Sequence, residues 1–316
     1  MNKIEWNSAL AIEMYNAPKV SRFDDKAKDV RKNVYKNNNE VFKQWGYVAS
    51  SGKDVCLGDK QKMLDATKAY REAFSVEGLP STTDSTNICM EEMGSIESGK
   101  ELLDRGLNPA VLNFADAYHA CGMYNGGSNA QEESLCRVST LSQTLYQYYN
   151  KLWANKAGVA LRPQLAYPMD INFGGIYSKV TVFRDGPSTG FAFREEPFDL
   201  GIISVAALNL CRPKPNKRTI TNHEYATEDK ENPMTEEGKL VMLNKIRTIY
   251  RIALDNGHDS LVLGAWGCGV FKHNPKQIAQ MFLQILEESE FKNKFKEVCF
   301  AVLGESNYNG FKEIIG

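Results

Sequence analysis

The sequence predicts an α/β fold in which short buried strands alternate with amphipathic helices. The strand-like segments at 109–115, 200–208 and 260–266 are almost wholly apolar, as is typical of strands that are covered on both faces. The segment at 129–153 instead carries apolar residues three or four positions apart, which is the spacing of a helix that packs on one face. We therefore expect a central sheet with helices on both sides.

The remaining elements follow in order along the chain. Residues 1–80 are polar, and residues 1–85 are predicted to form a helical extension to a core at 86–316. The extension is predicted to contain helices at 28–47 and 59–74. In the core we expect further strands at 177–183 and 297–304, a polar surface loop at 212–234, and helices at 235–257, capped by Thr235, and from Asn274-Pro275 onward.

Charge, cysteine content and targeting signals exclude several classes of protein. Lysine and arginine number 38 against 39 aspartates and glutamates, and this balance argues against an extended nucleic-acid surface. The seven cysteines form no C-x-x-C pair and only four histidines are present, so neither a zinc site nor a redox dithiol is predicted. No signal peptide or membrane span is visible. We expect a cytoplasmic monomer that does not bind membranes, although a secretion signal read by a receptor would leave no such pattern.

The first candidate site is a glycine loop that runs into the helix predicted from Asn129. Ser128 and Gln131 have the S-x-x-Q spacing of a capping box, which would place Gly126 and Gly127 immediately before the helix. Unpaired N–H groups and the helix dipole attract anions at such a position. The loop is therefore a candidate anion site.

Two adjacent glutamates, Glu132 and Glu133, fall in the first turn of this helix and would project towards whatever occupies the loop. A purely structural interpretation is also open, because acidic residues in a first turn complement the helix dipole. Glu133 and Arg137 also have the i,i+4 spacing of a surface ion pair, which stabilises a helix without any ligand.

The second candidate site is the loop that follows the strand at 260–266. Gly264, Gly267 and Gly269 are spaced G-x-x-G-x-G, which matches neither a P-loop nor the dinucleotide-binding G-x-G-x-x-G. A glycine loop between a strand and a helix is still where α/β proteins bind phosphates, although such glycines could serve a tight turn alone. Two such loops in one sheet, one with a glutamate pair, suggest a diphosphate ligand held by backbone amides near a carboxylate.

Four sequence strings, taken together, resemble the microbial-type poly(ADP-ribose) glycohydrolases, a branch of the macrodomain fold. They are NFADA at 113–117, NGGSNAQEESLCR at 125–137, VFRD at 182–185 and LVLGAWGCGVF at 261–271. The resemblance extends from about Arg31 to the C-terminal FAVLGESNYNGF. It implies a three-layer α/β/α sandwich with a mixed central sheet, which binds ADP-ribose across the C-terminal ends of its strands.

The resemblance also implies a reaction and a role for each loop. Glu133 would act as the acid/base residue at the glycosidic bond of an ADP-ribosylated protein or of poly(ADP-ribose), and Glu132 would orient the distal ribose. The second loop would wrap the diphosphate, with Phe271 against the proximal ribose. No metal or other cofactor is expected, and ADP-ribose is the expected product. The residues implied to bind ADP-ribose are Asn113, Gly122, Gly126, Gly127, Gln131, Gly264, Trp266, Gly267, Cys268, Gly269, Val270 and Phe271.

The first loop departs from the family pattern N-F-A-N-A-x-x-P-G-G-G. This chain has Asp116 in place of the second asparagine, Ala120 in place of the proline, and only Gly122 of the three glycines. Asp116 could add a second carboxylate at the reaction centre and change the linkage that is cleaved, or it could simply cap the loop. The chain could also keep polymer hydrolysis, or bind ADP-ribose without cleaving it. Retention of Glu132 and Glu133 favours an enzyme.

Overall fold

The computed structural model describes residues 1–19, 25–149, 165–213 and 220–316. Its helices are α1 Ser8–Asn16, α2 Lys26–Gln44, α3 Lys60–Asp65, α4 Ser95–Asp104, α5 Gln131–Val138, α6 Leu141–Tyr146, α7 Glu236–Asp255, α8 Pro275–Leu286 and α9 Glu305–Ile315. Its strands are β1 Gly46–Val48, β2 Asp54–Cys56, β3 Lys68–Tyr70, β4 Asn87–Glu91, β5 Pro109–Phe114, β6 Gly175–Arg184, β7 Phe193–Val205, β8 Ser260–Leu263 and β9 Glu297–Ala301.

The described strands form a mixed central sheet of seven in the order β3-β6-β7-β5-β8-β9-β4. Strand β5 lies parallel to both β7 and β8, and β9 lies parallel to both β8 and β4. A separate pair, β1 and β2, is antiparallel. The predicted α/β class with a mixed central sheet is therefore confirmed.

The parallel pairing of β5 and β8 determines where two of the predicted site segments emerge. Pro109 faces Ser260 and Val111 faces Val262 in the register of these strands. Parallel neighbours end at the same edge of a sheet, which is where α/β folds place their ligands. The Asn113 motif and the loop after Leu263 consequently begin side by side.

The chain divides into two compact units. Unit 1 comprises residues 1–68, 119–165 and 178–200, and unit 2 comprises residues 69–118, 166–177 and 201–316. The predicted division into an extension at 1–85 and a core at 86–316 stays a prediction. The buried cluster of unit 1 includes Val41, Phe42, Tyr47, Val55 and Phe183, and that of unit 2 includes Leu112, Ile203, Ile246, Ile249, Leu261, Trp266, Phe282 and Phe300.

Both helices that flank the second glycine loop in sequence begin where the sequence predicts. Helix α7 follows the N-cap Thr235, whose hydroxyl accepts the N–H of Gly238 at 3.1 Å. Helix α8 follows the N-cap Asn274, whose side-chain oxygen accepts the N–H of Lys276 at 2.9 Å. These caps satisfy N–H groups that a helix start leaves unpaired. They fix the starts of two helices whose apolar residues pack into the buried cluster of unit 2.

The predicted helix at 59–74 is wrong in its second half. Helix α3 ends at Asp65, and Lys68–Tyr70 form the edge strand β3 instead. Thr67 closes the helix, because its hydroxyl donates to the carbonyl of Met63 at 3.0 Å. Pairing in the sheet therefore outweighs the helix propensity of this segment. Since β1 and β2 also lie within residues 1–85, the predicted extension is not purely helical.

The predicted helix at 129–153 is also wrong, and its start differs first. Helix α5 begins at Gln131, two residues later than predicted, and its N-cap is Ala130, which makes no side-chain cap. Ser128 is therefore not the N-cap residue, and the predicted capping box is wrong. The carbonyl of Ser128 instead accepts a bond from Arg137 at 2.7 Å.

The same helix ends early because its backbone turns to the sheet. Helix α5 stops at Val138, and the next two residues pair with β6: Ser139 bridges to Val182, and the N–H of Thr140 donates to Thr181 at 3.0 Å. A new helix, α6, then runs from Leu141 to Tyr146. Residues 150–153 of the prediction lie outside the described residues.

The remaining predictions are a polar surface loop at 212–234 and the lack of a membrane span. Of the predicted polar loop at 212–234, the described residues form a single 3₁₀ turn at His223–Tyr225 and an isolated bridge between Ala226 and Met234. Among the described residues, none of the helices offers an apolar stretch that would span a bilayer.

Candidate active site

The two adjacent glutamates lie in the first turn of α5 and are both buried. Glu132 is 3% exposed and Glu133 is 5% exposed, although ionisable side chains are rarely buried unless they are paired or functional. Oε1 of Glu133 accepts the main-chain N–H of Met123 at 3.0 Å. The loop at 119–128 therefore holds one of the two carboxylates directly.

Gly122 is the residue that lets this loop approach the glutamates. Its φ is +50°, in the left-handed region that favours glycine. A Cβ at this position would lie 2.7 Å from Oε1 of Glu133 and 3.4 Å from Oε2 of Glu132. The one family glycine that this chain retains is thus the one that contacts both carboxylates, and the structure brings these three predicted site residues together.

The alternative interpretation of Glu133 as half of a surface ion pair is wrong. Arg137 is 1% exposed, and its guanidinium donates to the carbonyl of Ser128 at 2.7 Å and to Oγ of Ser134 at 2.9 Å. Burial lowers the pKa of Arg137, and the charge of Glu133 partly opposes that shift. Arg137 therefore anchors the loop from inside, a role that its i,i+4 spacing does not reveal.

The Gly126-Gly127 pair does not present free amides. The N–H of Gly126 donates to Met123 at 3.0 Å, that of Gly127 to Tyr124 at 3.2 Å, and that of Ser128 to Met123 at 3.3 Å. This internal bonding does not support the prediction that the pair grips a diphosphate, because an amide already bonded in its own turn is a poor donor to a ligand.

Packing against α2 explains the second glycine of this pair. Gly127 has a φ of +72°, and a Cβ there would lie 2.7 Å from the carbonyl oxygen of Lys28. Its own carbonyl accepts Nε of Arg31 at 2.8 Å. Gly127 is therefore required for close approach of the loop to α2 within unit 1.

The glycine loop of unit 2, at 264–271, is built differently. A Cβ on Gly264 would lie 2.6 Å from the carbonyl oxygen of Ala301 and 3.2 Å from the ring of Phe114. Gly267 has a φ of +77°, and its Cβ would lie 2.9 Å from that of Ala207. These two glycines seat the loop on the strand ends, whereas a Cβ on Gly269 would meet nothing within 4 Å.

Several main-chain amides of this loop are unbonded, and three of them, at 269–271, are consecutive. Within the described part of the chain, the N–H groups of Gly267, Gly269, Val270 and Phe271 make no hydrogen bond. The carbonyls are used instead, since that of Phe271 accepts the N–H of Leu210 at 3.2 Å. Successive free N–H groups in a turn form an anion-binding concavity. Of the two glycine loops, the second is therefore the candidate for the diphosphate.

Trp266 supports the loop from beneath. Its side chain is fully buried, and its indole Nε1 donates to the carbonyl of Val205 at 2.9 Å. His273 lies against the same loop, with Nε2 2.7 Å from the carbonyl oxygen of Leu208. Burial lowers the pKa of His273 to about 4. The implied contact of Trp266 with ADP-ribose stays a prediction. In the structure its buried side chain anchors the loop, whereas the side chain of Val270 is exposed.

Two predicted residues follow the end of β5. Asn113 is fully buried, and its side-chain amide donates to Oγ of Ser204 on β7 at 2.9 Å. Asp116 is half-buried, and its Oδ1 accepts the N–H of Tyr118 at 2.7 Å. A carboxylate that accepts the amide two residues on is a turn cap, so the geometry supports the capping interpretation of Asp116.

Three features of the site are not visible in the sequence. The Met123 amide, the buried Arg137 and the Arg31 contact are main-chain or non-local interactions, for which a single sequence carries no local pattern. Of the described side chains, one group has the composition and spacing to hold a metal ion, namely Cys89, Glu91 and Cys299. It contains none of the predicted site residues.

Comparison with known proteins identifies a family that this chain resembles. The family model of the microbial-type PARG (poly(ADP-ribose) glycohydrolase) catalytic domain matches residues 36–185, which include Gly122 and both glutamates. A search of curated protein sequences found no match.

Solved structures match over most of the chain. The poly(ADP-ribose) glycohydrolase of Thermomonospora curvata is 28% identical, with a TM-score of 0.71 over 90% of this chain and 98% of that one. The same enzyme bound to the inhibitor ADP-HPD is 29% identical, with a TM-score of 0.67 over the same shares, 90% and 98%. A mutant of the Deinococcus radiodurans enzyme in complex with ADP-ribose is 24% identical, with a TM-score of 0.62 over 82% of this chain and 98% of that one, and indicates the fold alone.

Proposed function

We propose that the chain is an ADP-ribosyl glycohydrolase, because it is similar to the microbial-type poly(ADP-ribose) glycohydrolases in its family-model match and in its fold. It binds ADP-ribose and hydrolyses the bond that links the distal ribose to a modified macromolecule, either a protein with mono-ADP-ribose or poly(ADP-ribose). The observation that carries this proposal is the buried pair Glu132 and Glu133, set against Gly122 with no room for a side chain.

Glu133 is the proposed acid/base residue. Cleavage of the C1″–O bond passes through an oxocarbenium-like state, which needs a proton on the leaving oxygen and a water at C1″. Glu133 donates its proton to the leaving oxygen and takes one from the incoming water, so that the carboxyl group is restored. Within the described residues, Glu133 makes its hydrogen bond through Oε1 alone, which leaves Oε2 for these transfers.

Glu132 and Gly122 are proposed to position the sugar. Glu132 accepts hydrogen bonds from the distal ribose hydroxyls, and the absence of a side chain at Gly122 supports the close approach of the loop backbone to both carboxylates. Orientation of this kind lowers the barrier because it replaces a random encounter with a fixed geometry. Gln131 is proposed to shape the same pocket, Asn113 to bind ADP-ribose, and Asp116 to act chiefly as the cap of its own turn.

The diphosphate is proposed to bind the amides of the second glycine loop. The free N–H groups at Gly267, Gly269, Val270 and Phe271 support this assignment, and Phe271 lies against the proximal ribose in the proposal. Uncharged amides need no basic surface, which agrees with the balance of 38 basic against 39 acidic residues. The proposed reaction uses no metal or other cofactor.

A panel of defined conjugates tests the proposal. ADP-ribose linked to arginine, glutamate, serine, a nucleic-acid base or the polymer is offered to the wild type and to Glu133→Gln, and release of ADP-ribose is measured. Loss of the acid/base group should slow cleavage by about 100-fold or more. Glu237→Gln is the matched control, since Glu237 is also an acidic first-turn residue but is exposed on α7.

Binding of ADP-ribose, measured by calorimetry on the same proteins, separates the remaining possibilities. If no conjugate is cleaved while free ADP-ribose binds, the chain is a non-catalytic reader. If ADP-ribose does not bind, the proposed function is wrong.

The cellular location and the oligomeric state of the protein are also proposed. A cytoplasmic monomer fits the sequence expectations, and it is tested by light scattering on the purified protein and by fractionation of the cells that make it.

A further inference from the structure

We propose that Cys89, Glu91 and Cys299 form a binding site for a thiolate-preferring divalent cation, namely zinc. The two thiols and the carboxylate each offer one ligand atom, and these atoms all lie within 4.8 Å of one another. Cys299 is fully buried, whereas Cys89 and Glu91 are half-buried. The cluster is therefore closed on the protein side and can be reached from solvent on the other. It is independent of the proposed hydrolase activity.

The sheet register brings these residues together. Strand β4 is an edge strand and pairs in parallel with β9, with Cys89 directly opposite Cys299. Glu91 follows Cys89 by two positions, and successive side chains of a strand alternate between faces. The three side chains consequently share one face of two neighbouring strands, and the rigid backbone of the ladder holds their spacing.

The spacing fits tetrahedral zinc after small side-chain rotations. Zinc binds thiolates at about 2.3 Å and carboxylate oxygens at about 2.0–2.2 Å, so that two thiolates on one tetrahedral ion are about 3.8 Å apart. A separation within 4.8 Å closes to that value without movement of the strands. Three protein ligands leave a fourth position for a water, as in other open zinc sites.

A neighbouring hydroxyl orients the carboxylate of the cluster. Ser98 on α4 donates from Oγ to Oε2 of Glu91 at 2.9 Å, which leaves Oε1 for the ion. The thiol of Cys89 lies 3.4 Å from Oε1 of Glu297. The contact from Ser98 fixes the direction of the Glu91 carboxylate, which strengthens metal binding, whereas the thiol bond to Glu297 is lost when zinc displaces the thiol proton.

The charges of the cluster also favour a cation. Glu297 is already neutralised by a two-pronged contact with the guanidinium of Arg105. Glu91 has no ion pair of this kind within the described residues, and its side-chain bonds come from neutral groups, the hydroxyl of Ser98 and the thiol of Cys299. When zinc binds, it displaces the protons of both thiols to solvent. The resulting two thiolates and one carboxylate carry three negative charges, of which the ion neutralises two.

A disulfide is the competing fate of this thiol pair, and the backbone disfavours it. Side chains that face one another on parallel strands point the same way, so their Cβ atoms are separated by about the strand spacing of 4.8 Å. A disulfide needs a Cβ separation of about 3.8 Å. A zinc ion fits the wider gap, because it joins the two sulfur atoms through two Zn–S bonds, whereas a disulfide joins them through a single S–S bond.

Metal content and cobalt spectra test the site on the whole chain. The reduced protein is stripped with a chelator and titrated with Zn²⁺ and with Co²⁺, whose thiolate complexes absorb in the near ultraviolet. We expect one zinc per chain and a thiolate-to-cobalt band in the wild type. Both should be lost in Cys89→Ser and weakened in Glu91→Gln, and both should be kept in Cys56→Ser, which removes an exposed cysteine outside the cluster.

A protection experiment avoids dependence on variants that fold poorly. Wild-type protein is alkylated with and without Zn²⁺, and each cysteine is followed by mass spectrometry. Zinc should slow the modification of the half-buried Cys89 by about tenfold or more relative to the exposed Cys56, because a coordinated thiolate is not free to react. The proposal is overturned if the wild type binds no zinc, if the cobalt band survives in Cys89→Ser, if zinc protects other cysteines instead, or if an oxidant rather than zinc joins Cys89 to Cys299.

Discussion

The main-chain N–H of Met123 donates a 3.0 Å hydrogen bond to Oε1 of Glu133. Met123 stands where the family pattern has its third glycine, yet its side chain is 62% exposed and takes no part in the bond. A backbone donor does not depend on the identity of its residue. The change from glycine at this position therefore leaves the carboxylate in place. The chain retains glycine at the neighbouring position 122, where a side chain would collide with Glu133.

Gly122→Ala should abolish most of the activity without unfolding the protein. The new Cβ would lie 2.7 Å from Oε1 of Glu133, so the carboxylate must move, and a displacement of this size costs about 100-fold in rate. The measurement is kcat on the best conjugate of the panel, together with Tm. Gly52→Ala is the control, because Gly52 also has a positive φ, of +89°, but open space around it.

Both alanines should lower stability by about 1–2 kcal/mol, because each forces a left-handed conformation on a residue with a side chain. Only the change at Gly122 should lower kcat. Equal activity in the two variants would show that the glutamates do not need their present position.

Gly269→Ala should weaken ADP-ribose binding and leave stability unchanged. A Cβ at Gly269 meets nothing within 4 Å, so the fold tolerates it, but it stands beside the free amides of Val270 and Phe271. Loss of about one amide–phosphate bond corresponds to roughly tenfold in Kd, measured by calorimetry. Gly78→Ala is the matched control, since a Cβ at Gly78 also meets nothing within 4 Å. Unchanged affinity in Gly269→Ala would remove this loop as the diphosphate site.

Local signals in the sequence were enough for the parts of the fold that depend on nearest neighbours. The cap of α7 by Thr235 and the buried strand β5 need only adjacent residues to be recognised. The break between α5 and α6 was missed because Thr140 bonds to Thr181, some forty positions away, and no local pattern announces a strand partner. Short strands such as β3 were missed for the same reason.

Prediction from the sequence is limited at the site as well, because the hydrogen-bond partners of its amides are not visible there. The sequence identifies Glu132 and Glu133 and the glycines around them, but it cannot tell which glycine amides are already bonded. Gly126 and Gly127 use theirs within the turn, whereas Gly267 and Gly269 do not. Hydrogen-bond accounting of this kind requires coordinates, because donors and acceptors are paired by geometry rather than by residue type.

Gly127→Ala should lower stability and leave the affinity of the folded protein for ADP-ribose unchanged. The added Cβ would lie 2.7 Å from the carbonyl oxygen of Lys28, so α2 and the loop must separate. Overpacking of this kind costs about 1–3 kcal/mol, measured as the free energy of unfolding in urea. A loss of affinity at unchanged stability would instead restore the prediction that the Gly126-Gly127 pair binds the ligand.

The stability of unit 2 should fall as the pH is lowered through the range in which His273 would titrate if unfolded. Burial lowers its pKa from 6.5 to about 4, so between these values the unfolded chain binds a proton that the folded chain refuses. Stability linked to this group is therefore present above pH 6.5 and is lost as the pH falls towards 4. Between pH 7 and pH 5 the loss should be about 2 kcal/mol.

Urea unfolding of the wild type and of His273→Gln at both pH values isolates this contribution, because the variant lacks the titrating ring. If both proteins lose the same stability, His273 is not the group responsible. If the wild type loses about 2 kcal/mol more, the buried ring of His273 is confirmed as the group that links stability to pH.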